Sequence, residues 1–168
     1  MPRYDVPNAA PEPLRQVQLL VNSRDVEHEV EWLPEWLAER GLGRSQLERA
    51  QALREALRAL VLANNGVRPN SGAYEVVNAA AARLTVRIGD DGVVRIAGGA
   101  DALDDVVAAA LNAMLDGSWS RLKACRNCCW SFYDKSPNRS ATWCSMQLCG
   151  NRKKVREYRR RRRRLTAS

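Results

Sequence analysis

Cys125-Arg126-Asn127-Cys128-Cys129-Trp130 and Cys144-Ser145-Met146-Gln147-Leu148-Cys149-Gly150-Asn151-Arg152 are the two stretches on which the reading of this chain turns. Fifteen residues separate Cys128 from Cys144, and four separate Cys144 from Cys149. Each close pair can wrap a tight turn around one metal ion while the span between closes as a loop. Cys125, Cys128, Cys144 and Cys149 are therefore the expected ligands of one tetrahedral Zn²⁺. Only one of the adjacent Cys128 and Cys129 fits a C-x2-C turn with Cys125. Cys129 is then a small apolar filler beside Trp130, Phe132 and Trp143, or an exposed thiol. Four thiolates leave no open coordination position, so the site is expected to be structural. Its formal charge of −2 lies close in sequence to Lys123, Arg126, Arg139, Arg152 and Lys153. His28, the one histidine, lies far off in a polar stretch and reads as a surface residue.

Downstream of the cysteines the chain turns strongly basic. Residues 152–168 hold ten Lys and Arg against one Glu, whereas residues 1–120 hold 12 against 17 acidic residues. An acidic body with a basic tail points to an anionic partner for the tail and a different role for the body. Asn151 can cap a helix from Arg152 to Arg164, with Val155 and Tyr158 packing back on the zinc knuckles. Its cations Arg152, Lys153, Lys154, Arg156, Arg159, Arg160, Arg161, Arg162, Arg163 and Arg164 are the expected phosphate contacts of nucleic acid. Such a segment is expected to fold fully only when phosphates neutralise it. Asn138, Arg139, Asn151 and Arg152, polar and beside the metal, are the candidates for reading base edges. Glu27, Glu29, Glu31 and Glu35 read as a solvated face that can alternatively dock the chain's own arginines.

Upstream, 168 residues with 45% hydrophobic composition allow one compact domain and an appendage. Residues 1–13, with four prolines, read as an irregular arm. Leu14, Val17, Leu20 and Val21 recur at helical spacing, as do Val30, Leu33, Trp36 and Leu37. Ser45 with Glu48 predicts a capping box opening a helix from Gln46 to Ala63, with Leu47, Ala50, Leu53, Leu57, Leu60 and Val61 inward and Glu55 and Arg58 outward. A helix over Gly72–Ala82, a hairpin of Leu84–Ile88 with Val93–Ile96, and a helix capped by Asp101 and ended at Gly117 complete the body. Trp32, Trp36 and Tyr74 are expected in the core, with a small-molecule pocket as the alternative. The fold class is mainly α with a small β-hairpin (α+β) over residues 14–120, followed over 121–168 by a four-cysteine zinc finger and a basic C-terminal helix.

The segments Trp130-Ser-Phe-Tyr-Asp-Lys-Ser136, Trp143-Cys-Ser-Met146 and Cys149-Gly-Asn-Arg152 resemble the CGNR zinc finger. The body is similar to the ABATE domain with which that finger occurs in bacterial stress-induced transcription regulators. Val21-Asn-Ser-Arg-Asp25, Trp36-Leu37, Leu53-Arg-Glu-Ala-Leu-Arg58 and Asn78-Ala-Ala80 carry this second resemblance. Family members often have an acidic and an aromatic residue where Leu19 and Leu20 stand here. The resemblance implies a transcription regulator that binds DNA through its finger and basic helix, while the body senses a small-molecule effector or mediates assembly. An RNA-binding or ribosome-associated protein is the alternative, since the residues suit either polymer. No nucleophile with its base, phosphate-cradling glycine motif or catalytic histidine stands out, so an enzyme is not expected. No apolar run nears the roughly 20 residues of a membrane span, and Met1–Leu14 lacks a signal-peptide core, so a cytoplasmic protein is expected.

Overall fold

A computed structural model describes residues 8–152, 154, 155, 158, 159 and 162. Five helices form the body: α1 (Leu14–Asn22), α2 (Leu33–Ala38), α3 (Leu47–Ala63), α4 (Ser71–Ala81) and α5 (Ala102–Asp116). Among the described residues there are three two-stranded antiparallel sheets rather than the single hairpin expected. These pair β1 (Arg24–Asp25) with β2 (Val30–Glu31), β3 (Thr85–Ile88) with β4 (Val94–Ala97), and β5 (Leu122–Ala124) with β6 (Ser131–Tyr133).

Apolar spacing explains the helices. Leu14, Val17, Leu20 and Val21 are buried along α1, and Ala50, Leu53, Leu57, Leu60 and Val61 along α3. With Leu103, Val106, Val107 and Ala110 of α5 they build one core in which α1 packs on α3 and α5, and α4 packs on both of those. Asp101 caps α5 by accepting from the Leu103 and Asp104 amides, and Gly117 ends it at φ +81°, the left-handed position at which glycine is unstrained.

Three local expectations are corrected. The Ser45–Glu48 capping box does not form. A 3₁₀ turn over Arg44–Gln46 leads into α3, and Gln46 stands at its N-cap without a side-chain bond. Val30 lies in β2, where the short β1–β2 hairpin takes it out of the helical pattern, so α2 begins only at Leu33. Arg58 does not face outward with Glu55. It is buried, donating from Nη2 to the Val21 carbonyl (2.6 Å) and from Nε to Glu55 (3.1 Å), because the end of α1 leaves carbonyls that need donors. Its neighbour Arg54 is fully buried too and pairs with Glu31 (2.5 Å), which ties that carboxylate down.

The finger grows directly out of this core. Leu122 and Ala124 of β5 belong to the same buried cluster as α1, α3 and α5. Asn22, fully buried at the end of α1, clamps Ser131 of β6 at two points: its Nδ2 donates to the Ser131 carbonyl (2.9 Å) and its Oδ1 accepts from the Ser131 amide (2.7 Å). Gln18, one turn earlier, donates to the same carbonyl (3.1 Å) and accepts from the Ala10 amide of the arm (2.7 Å). Asn64 and Asn65, at the end of α3, donate to the carbonyls of Leu122 and Ala124, each at 2.9 Å. Asn22→Ala would strip the buried Ser131 amide of its acceptor and is expected to cost about 2 kcal/mol in urea-unfolding stability.

Candidate metal centre and basic surface

β5 and β6 set up the first knuckle. The Cys125 amide donates to the Trp130 carbonyl (2.8 Å) and the Cys129 amide to the Cys125 carbonyl (2.9 Å), which folds residues 125–130 into a closed turn. Of the second pair, Cys149 lies on a π-helical turn, Met146–Gly150, and Cys144 directly precedes its N-cap Ser145, which accepts from the Leu148 amide. Phe132, Cys125 and Cys149 are buried together, with Ala141 and Trp143 against them.

This brings the sulfurs of Cys125, Cys128, Cys144 and Cys149 within 4.8 Å of one another. The Cys128–Cys144, Cys144–Cys149 and Cys149–Cys128 separations are each 3.6 Å. Thiolates about 2.3 Å from a tetrahedral metal stand about 3.8 Å apart, so the donor set fits one metal ion. Three of these thiols compete for charge. Hydrogen bonds from Cys128 and Cys144 pull the Cys125 thiol far down, while the same bonds hold Cys128 protonated and Cys125 pushes Cys144 up to about 12. Asn127 Nδ2 lies 3.7 Å from the Cys149 sulfur as a donor.

Cys129 stays outside the four-sulfur cluster, half-buried at φ +61° with its carbonyl 3.4 Å from Arg58 Nη1. It occupies the left-handed position that lets the turn close, where glycine would be less strained. Two of the cations expected to offset the thiolates have other partners. The Arg126 guanidinium donates to the Asn65 carbonyl from Nε (2.8 Å) and Nη2 (2.5 Å). Lys123, which is buried, pairs with Asp134 (2.8 Å) and donates to the carbonyls of Arg139 and Ala141. Asp134 in turn accepts from the Ser136 hydroxyl (2.6 Å) and the Ala141 amide (3.0 Å), so one ion pair organises the loop between the knuckles. Burial opposes ionisation of Asp134, yet Lys123 and Ser136 outweigh it and hold the carboxyl at about 2.

The base-reading candidates fall into two separate pairs. Asn138 and Arg139 are exposed on the loop, with Arg139 at φ +49° and donating to Ser120 Oγ (3.0 Å). Asn151 and Arg152 are exposed just past the π-helical turn, and Arg152 pairs with Glu27 of the body (2.7 Å). Among the described residues no hydrogen bond or ion pair joins the two pairs. Asn151 is not an N-cap: it stands in the helical region (φ −67°) at the C-cap of the turn, which Ser145 opens six residues earlier because the helical backbone begins before the fourth cysteine. Val155 and Tyr158 do not pack on the knuckles but stand 47% and 65% exposed, and the buried cluster around the cysteines closes with Phe132, Ala141 and Trp143 instead. Lys154, Arg159 and Arg162 are exposed, whereas Lys153, Arg156, Arg160, Arg161, Arg163 and Arg164 lie outside the described residues, as does much of the expected basic helix.

The residues that join body to finger, Gln18, Asn22, Arg58, Asn64 and Asn65, were not among the sequence candidates. Gln18 and Asn22 carried a signal: polar residues four apart beside the apolar stripe of a helix. Trp36 is core, as expected, with the Arg40 guanidinium 4.1 Å from its ring centroid, whereas Tyr74 is 51% exposed. Trp32 instead meets Trp130 edge to face, their centroids 6.3 Å apart.

Two outcomes follow from this geometry. Serine at Cys125, Cys128, Cys144 or Cys149 should each abolish stoichiometric metal in elemental analysis, while Cys129→Gly should keep it. Because Asp134 has its carboxyl lowered from an unfolded value of about 3.9, its contribution is complete above that range and lost as pH falls towards about 2. Asp134→Asn should therefore cost about 3–5 kcal/mol near neutral pH, and the gap from the unmodified chain in urea unfolding should narrow as pH drops through that window.

Comparison with protein families finds a match to the CGNR zinc finger over residues 121–162, the stretch holding all four clustered sulfurs. A second match covers residues 15–121, the helical body, with a family described as "Putative stress-induced transcription regulator", ABATE. Comparison with curated proteins found no match. With most of its length matched by the body family and residues 121–162 by the finger, the chain belongs to the ABATE family and carries a CGNR zinc finger towards its C-terminal end.

Proposed function

We propose that this protein is a transcription regulator that binds DNA through a zinc-loaded finger and the basic segment following it, with the helical body as its sensing or assembly domain. The observation that carries the reading is the position of the cations. Arg152, Lys154, Arg159 and Arg162 stand exposed immediately after the fourth sulfur, in a segment with ten Lys and Arg against one Glu. A rigid metal knuckle fixes where such a segment starts, and phosphates can neutralise the rest and draw it into a helix. Zn²⁺ suits the four-thiolate set because it is bound tetrahedrally by sulfur and has no redox chemistry of its own. The metal's role is structural, the chain's role is binding rather than catalysis, and its compartment is the cytoplasm. Among the described residues no helix is long and apolar enough to cross a membrane.

Fluorescence anisotropy of the zinc-loaded full chain on duplex DNA and on structured RNA, across a salt series, tests this. About five to eight engaged cations would give a log–log salt slope of roughly −5 to −7 on duplex DNA. Truncation after Tyr158 removes six arginines and should take most of that slope. Tighter binding to the RNA at every salt concentration would favour the RNA-binding alternative, and no binding to either polymer would overturn both.

A further inference from the structure

Between the body and the finger lies a cleft of about 540 Å³, a size that suits a small organic molecule. One wall is the β1–β2 turn of the body, with Asp25, Glu27, His28 and Val30; the other is the π-helical turn, with Ser145, Leu148 and Arg152. Trp32 and Trp130 line it at right angles to each other, and Cys128, Cys144 and Cys149 border it. We propose that this cleft binds a small organic cation with an apolar or aromatic body, which displaces Arg152 from Glu27. The inference is independent of the nucleic-acid reading.

The chemistry of the lining selects the charge. Asp25 and Glu27 are both carboxylates, and a metal-loaded four-thiolate centre beside them adds a formal −2. Asp25 is oriented by His28 Nδ1 (2.8 Å) and by the amides of Glu27 (3.0 Å) and His28 (3.1 Å), so it is held as a fixed part of the wall. Indole faces attract cations through their quadrupole, most strongly where water is excluded, and Val30 and Leu148 supply apolar contact around them. An anion would meet two carboxylates and the thiolates, and Arg152, the one Lys or Arg of the lining, is already paired with Glu27.

That arginine is the chain's own cation in the cleft. Its pair with Glu27 is partly exposed on both sides, 46% and 27%, and such pairs exchange readily with other ions. An organic cation that reaches the indoles as well as Glu27 makes contacts that Arg152 alone does not need to make, and frees its guanidinium.

The test is calorimetric titration of the zinc-loaded full chain with benzyltrimethylammonium, with benzoate as the anionic counterpart of similar shape. Saturable binding of the cation and none of benzoate is expected. Trp32→Leu and Glu27→Gln should each weaken it about tenfold, by loss of a cation–π face and of the counter-charge. Arg152→Gln should tighten it about two- to fivefold, because the internal competitor is gone. Glu27 lies on the exposed turn, so Glu27→Gln keeps the test decisive even where Trp32→Leu disturbs packing. Benzoate binding as tightly as the cation, non-saturable heats, or undiminished affinity in Glu27→Gln would overturn the site. Unchanged or weaker binding in Arg152→Gln would overturn the displacement.

Discussion

Four thiols held within 4.8 Å of one another impose the constraint from which the rest of this structure follows. Bare sulfurs at that spacing cannot all ionise, as the depressed Cys125 and the elevated Cys128 and Cys144 show. A dication bound there would remove the conflict and make the cluster a crosslink between two turns fifteen residues apart. The backbone must still deliver the turns to one another. That work falls to the buried Lys123–Asp134 pair, which gathers the intervening loop onto β5 and β6.

The four-cysteine finger is not an appendage. β5 contributes Leu122 and Ala124 to the main core, and the Asn22 clamp on Ser131 gives the buried edge of β6 the partners that a lone two-stranded hairpin lacks. Arg58 spans the same junction from α3, reaching the Val21 carbonyl near the end of α1 and the Cys129 carbonyl. Distortion of the finger therefore reaches α1 and α3 through hydrogen bonds and shared apolar contacts rather than through a linker.

The same junction places an acidic turn of the body against the first arginine after the cysteines. The pairing of Glu27 with Arg152 realises, at one residue, the docking between acidic body and basic tail that their opposite charges allow. In isolation a partly exposed pair contributes at most about 1 kcal/mol, so it biases rather than locks the arrangement. Its position matters more than its strength, because it sits on the rim of a cleft shared by both parts of the chain.

Much of this was legible in the residues alone. The cysteine spacing named the four clustered sulfurs and excluded Cys129, because ligand geometry is local and is written in the number of residues between pairs. Helical spacing found α1, α3 and α5 for the same reason: burial of one face repeats along the chain. What the tertiary structure decided were the interactions whose partners lie far apart in sequence. Arg58 turned inward because the end of α1 offers carbonyls to it, and no pattern within α3 could announce that. Lys123 and Arg126 read as countercharges to the thiolates, yet each is committed to other oxygens brought near by folding. Val155 and Tyr158 looked like an anchoring stripe, but both stand exposed, and the cluster around the cysteines is built from Phe132, Ala141 and Trp143. Sequence by itself determined the four clustered cysteines, the helices and the charge asymmetry, all of which depend on near neighbours. Only the tertiary structure decided how finger and body share one core, because that rests on buried polar groups finding partners more than a hundred residues away, as Asn22 finds Ser131.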